Sequence, residues 1–183
     1  MRPHNRACEI GGTPISFLGY IEPMFEVLVF VYENYWRGDA CPELPQLERK
    51  LSAVGFQADE IHQALTWLDG LNLAAQGTRA VPPEGTRALP TQSATSMRVF
   101  SVAEQDRLGA EALSFIAFLE SAGVLPPAMR EIVIDRAMAA GADTLLLDDL
   151  KIIILMVYWS VGEEPDALVL DELCDDAQDR IAH

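Results

Sequence analysis

The chain has 183 residues, half of them apolar, and 13 basic against 28 acidic residues give it a formal net charge of −15. That length and hydrophobicity suit a folded core burying roughly 70% of the unfolded surface and exclude wholesale disorder, while the charge argues against phosphate backbones and anionic lipid as partners. Cys8, Cys41 and Cys174 are odd in number and widely spaced, which excludes a disulfide framework and fits reduced thiols in a cytoplasm.

Residues 1 to 23, rich in Gly and Pro and without periodicity, read as a disordered N-terminal extension. Arg2 and Arg6 precede a short apolar stretch, Ile15 to Ile21, but Ser16 and Gly19 dilute it and no small-residue cleavage site follows, so no signal peptide is expected. Dense patterning opens at Met24. In Met24 to Trp36 the polar positions Glu26, Glu33 and Asn34 leave one narrow wet stripe on an otherwise buried helix. Leu44, Leu47, Leu51 and Val54 mark a second helix, with Gly55 placed as its left-handed terminator. Ile61, Ala64, Leu65 and Leu68 mark a third, with Asp59 and Glu60 in the first turn, where the helix dipole favours them.

Glycines and prolines punctuate Leu73 to Pro90, and the stretch SMRVF at 96 to 100 has strand composition. With Leu71 to Ala75 as its partner strand, it predicts a long hairpin, a wing after three helices. Ser101 and Glu104 then form a capping box that opens a helix through Leu108, Ala112, Phe115, Leu119 and Ala122. Pro126 and Pro127 start the next helix, with Met129, Ile132, Val133, Ala137 and Ala140 on its stripe. Asp148 and Asp149 lead a nearly all-apolar helix ending at Gly162. Its apolar run, Ile152 to Trp159, is far shorter than the roughly 20 residues of a bilayer span. Beyond Pro165, Leu170, Leu173, Cys174, Ala177 and Ile181 keep a helical seam opposite a row of acids.

Chemistry-bearing patterns are sparse. His62 has Thr66 at i+4, so a metal-binding H-x-x-x-H pair is missing. Asp148 and Asp149, Glu163 and Glu164, and Asp175 and Asp176 are adjacent carboxylates, and neighbours on a helix point about 100° apart and do not face one another. No nucleophile elbow, Walker loop or dinucleotide fingerprint occurs, so neither catalysis nor a cofactor or metal is expected.

Several blocks taken together, MFEVLVFVYENYW, GFQADEIHQALTWLDGL, SMRVFS, RLGAEALSFIAFLESAGVL, REIVIDRAMA and LDDLKIIILMVYW, resemble the bacterial Smg family in order and spacing, over about Met24 to Val161. The resemblance implies neither an activity nor functional residues. Family members typically start where Met24 stands here, and they are often encoded beside DNA-processing genes, which is an association and not a mechanism.

The expected architecture is mainly α: a winged-helix-like module with a small β-hairpin over 24–101, followed by an acidic helical bundle over 102–183, where five basic residues face seventeen acidic ones. The expected function is a cytoplasmic, non-enzymatic protein-binding module or adaptor, with Trp67, Leu170, Leu173, Ala177 and Ile181 as partner contacts. The alternative is a nucleic-acid-associated factor whose wing touches phosphates through Arg79, Arg87 and Arg98. Sequence-specific reading of DNA is not expected, because the helix that would enter the groove, Gln57 to Leu71, holds Asp59, Glu60 and Asp69 and no Lys or Arg.

Overall fold

The computed structural model describes residues 8–10, 13–15, 23–35, 43–79, 98–141, 145–166, 169 and 173. Two short strands, β1 (Cys8–Ile10) and β2 (Thr13–Ile15), pair antiparallel with Cys8 opposite Ile15. From Pro23 onward every described element is a helix: α1 (Pro23–Tyr35), α2 (Leu44–Val54), α3 (Ala58–Arg79), α4 (Val102–Ser121), α5 (Pro127–Ala139) and α6 (Leu147–Val161).

Apolar spacing decides how these helices pack. On α1, Phe25, Val27, Leu28 and Val31 are fully buried, while Glu26 and Asn34 on the wet stripe stay exposed. Helix α2 buries only Leu47 and Leu51, and Gly55 at φ 109° ends it with its N–H bonded to the carbonyls of Leu51 and Ser52. That left-handed turn brings Phe56 edge-on to Phe30, with ring centroids 5.6 Å apart. Helix α6 is the hub. All residues from Asp149 to Tyr158 are buried, and α1, α3, α4 and α5 pack around it. A single apolar cluster runs from Met24 through Tyr158 to Leu173, so the helices on either side of Ser101 share one core.

The winged-helix reading is overturned. Leu71 to Ala75, expected as a strand, continue α3 to Arg79. Ile61, Ala64, Leu68, Leu71 and Ala75 alternate steps of three and four and are all buried, which is the signature of one long helix face. Gly70 does not interrupt it, since a helix fixed by tertiary burial tolerates the roughly 1 kcal/mol that glycine costs. On the other side of the expected hairpin, Arg98 to Phe100 are neither strand nor helix, and the rest of that stretch lies outside the described residues.

Helix α4 holds a second departure. Ser101 and Glu104 form the expected capping box, but Gly109 adopts φ 69° and ψ 173° and divides the helix into two segments. The pattern Leu108, Ala112, Ile116, Leu119 stays buried across the break. Just before the kink, Arg107 donates to the carbonyls of Ala137 and Ala140, placing a cation on the C-terminal end of α5, where unpaired carbonyls and the helix dipole favour it. In return the Leu145 N–H donates to the Arg107 carbonyl at 3.1 Å.

Candidate partner-binding surface

Five of the described cations, Arg98, Arg107, Arg130, Arg136 and Lys151, are buried or half-buried. Arg98 makes a bidentate pair with Glu104, Nη1 and Nη2 each 2.8 Å from a carboxylate oxygen, and reaches Glu131 on α5 through Nε at 3.3 Å and Nη2 at 3.1 Å. Its guanidinium carbon lies 4.7 Å from the ring centre of Phe100, which packs on the core. Glu131 in turn binds Arg130 at 2.8 Å, and Arg130, only 3% exposed, also donates to Glu120. Three carboxylates and two guanidiniums therefore tie the approach to α4, both segments of α4 and the start of α5 into one chain of charge-assisted bonds.

The titration behaviour follows from those contacts. Hydrogen bonds from Arg98 and from the Ser101 backbone hold the Glu104 carboxyl down at about 2, and the bonds to Glu104 and Glu131 keep Arg98 firmly protonated. Burial pushes Glu131 upward, but its bonds to Arg98 and Arg130 prevail and its carboxyl sits below the usual range. On α1, partial burial raises the Glu33 carboxyl to about 6.

Arg107 and Arg136 are likewise engaged, the first with the end of α5 and the second with Asp135 and the Trp67 carbonyl, and Lys151 is buried 6.0 Å from the ring centre of Phe115. Among the described side chains the exposed lysines and arginines are Arg49 and Lys50, both on α2, against twelve exposed carboxylates spread from Glu26 to Asp166. Folding thus concentrates the acidic excess on the surface. Two apolar side chains interrupt it conspicuously: Val99 and Val102, 84% and 73% exposed, stand on either side of Phe100 and the N-cap Ser101.

Of the residues proposed from sequence, Trp67 is not at a surface edge. It is 3% exposed, and its indole Nε1 donates to the Arg136 carbonyl at 3.0 Å, so the fold itself uses both its apolar body and its polar tip. Leu173 is fully buried in the common core, while Leu170, Ala177 and Ile181 lie outside the described residues. Of the wing arginines, Arg79 closes α3, Arg87 lies outside the described residues, and Arg98 is committed to two glutamates instead of standing on a hairpin. Sequence reasoning missed the Arg98–Glu131 link, because 33 residues separate the partners. Glu104 carried a signal through its capping box. Among the described residues no three His, Cys, Asp or Glu side chains gather to hold a metal ion, and no helix is long and apolar enough to cross a membrane.

Fold and surface together define a mainly helical, strongly acidic protein in which Arg98, Arg107, Arg130 and Arg136 are engaged by the fold itself. Residues 24–183 match the family described as Protein of unknown function (DUF494). A Protein Smg homolog of Leptothrix cholodnii is 61% identical over 160 residues, covering 87% of this chain and 100% of that relative. Protein Smg homologs of Methylibium petroleiphilum and Bordetella pertussis are 57% and 46% identical over the same coverage of both chains. No solved structure matches the chain. The chain belongs to the Smg family, and the match extends past Val161 to include the acidic C-terminal segment.

Proposed function

We propose that this protein works by binding, not by catalysis, and that its partner is a protein with a basic surface. The observation that carries this reading is the disposition of charge: twelve exposed carboxylates against exposed Arg49 and Lys50 among the described residues, with Arg98, Arg107, Arg130, Arg136 and Lys151 buried or half-buried. Such a field repels phosphate backbones and steers cationic surfaces towards it, raising the encounter rate more than the final affinity. It also supports the expectation that duplex DNA is not a ligand, since phosphate neutralisation needs exposed Lys and Arg.

Affinity purification of the full chain from a Smg-bearing bacterium, with and without nuclease and at two salt concentrations, tests the reading. A stoichiometric protein partner that survives nuclease and is lost at high salt is the expected result. Capture that nuclease abolishes, or a partner held with no dependence on salt, would overturn it.

A further inference from the structure

We infer that the site of contact is the surface formed by Val99 and Val102, and that it receives a basic protein segment carrying an apolar side chain between lysines or arginines. The inference rests on the proposed binding of a basic partner and adds its location. Val99 and Val102 are the two most exposed large apolar side chains among the described residues. Exposed valines scattered singly carry no message. These two lie three residues apart on a segment whose neighbouring side chains are held in place. Arg98 is pinned by Glu104 and Glu131, Phe100 packs beneath the guanidinium, and Ser101 exchanges bonds with Glu104, the Glu104 N–H donating to Ser101 Oγ at 3.3 Å and the Ser101 N–H to Glu104 Oε2 at 2.7 Å.

The segment is therefore pre-ordered. Valine has one dominant rotamer freedom, χ1, and little of it to lose, so a partner ordering this surface sacrifices little side-chain entropy. Charge selects the occupant. Arg98 and Arg130 bind Glu104, Glu131 and Glu120, Glu131 is half exposed, and Asp106 on the next turn of α4 is exposed, so four carboxylates against two arginines leave this region with an acidic excess. An apolar anchor surrounded by a polar, charge-bearing rim is the usual anatomy of a protein–protein contact. A second copy of this chain would bring the same acidic rim and is disfavoured; a cationic segment is favoured.

The test is site-specific photocrosslinking in the full chain, with a benzophenone amino acid at Val99, at Val102, and at Glu26 on α1 as the control position. The protein trapped is identified, purified and titrated against wild type and the Val99→Ser/Val102→Ser double variant, whose melting temperature should match wild type. Expected are an adduct at positions 99 and 102 but not 26, a crosslinked peptide of net positive charge, and at least tenfold weaker binding by the double variant. Undiminished binding by the double variant, an adduct at 26 equal to those at 99 and 102, or an adduct within the same chain would overturn the location while leaving a basic partner standing. A trapped peptide that is neutral or acidic would sink the partner chemistry itself.

Discussion

Trp67 on α3 and Arg136 on α5 exchange hydrogen bonds across the contact between their helices. The Trp67 indole Nε1 donates to the Arg136 carbonyl at 3.0 Å, and Arg136 Nη1 donates to the Trp67 carbonyl at 3.4 Å. The exchange joins the N-terminal three helices to the C-terminal three and depends on Gly70, because a methyl group there would fall 1.9 Å from Arg136 Nη1. The guanidinium lies where a side chain would otherwise be.

A double-mutant comparison follows from that geometry. Gly70→Ala should gain about 1 kcal/mol of helix propensity but displace a guanidinium whose hydrogen bond is worth about 1.5–3 kcal/mol. Destabilisation by about 1 kcal/mol is expected in the wild-type background. With Arg136→Ala already present the obstacle is gone, and the same Gly70→Ala change should stabilise by about 1 kcal/mol. Chemical denaturation of the four proteins checks this. An equal effect in both backgrounds would show that the guanidinium does not rest on Gly70.

Gly109→Ala should destabilise by about 1–3 kcal/mol, the cost of forcing a side-chain-bearing residue into a backbone region populated almost only by glycine. Nothing lies within 4 Å of the added methyl group, so the cost is conformational and not a clash. If instead the variant is as stable as wild type, the break in α4 at φ 69° and ψ 173° is not required by the fold.

Two glutamates should shift the pH dependence of stability in opposite directions. Glu104 titrates at about 2 when folded, below its ordinary 4.5, so its contribution is complete above about 4.5 and is lost as pH falls towards 2. Glu104→Gln should therefore melt lower than wild type at pH 7, with the gap closing in acid. Glu33 titrates at about 6, above its ordinary 4.5, so its contribution is present below 4.5 and disappears as pH rises through 6. Glu33→Gln should accordingly melt higher than wild type at pH 7 to 8 and equally at pH 4. Melting temperatures across pH 3 to 8 read both effects, and parallel profiles for all three proteins would contradict them.

Leu173 is fully buried in the common core. Around it in sequence, Asp171 and Asp175, Glu172 and Asp176, and Asp175 and Asp179 are like charges four apart, which disfavours a helix standing alone and makes the burial of Leu173 the apolar gain that offsets it. Leu173→Asp should destabilise the isolated protein by about 2 kcal/mol or more, the scale of burying an unpaired charge. Leu173→Asn, carrying no charge, should cost less. An unchanged melting temperature for the aspartate variant would mean that this leucine is not part of the core in solution.

The helices and their ends were legible because their causes are local. The i, i+3, i+4 spacing of Phe25, Leu28, Val31 and Tyr32, the S-x-x-E box at Ser101, the prolines before α5 and the glycines after α2 and α6 each act within a turn or two of their own position. The acidic excess and the family likeness were legible for a similar reason, since neither needs knowledge of what touches what. Tertiary structure decided the rest. Local composition made a strand of Leu71 to Ala75, but burying Leu71 and Ala75 against the other helices outweighed the nearby glycines and kept α3 whole. Trp67 read as an edge residue because its partner, the Arg136 carbonyl, is 69 positions away in the chain. Likewise, Arg98 looked like a phosphate ligand until the capping box turned Glu104 towards it and the packing of α5 on α4 brought Glu131, leaving two exposed valines beside it.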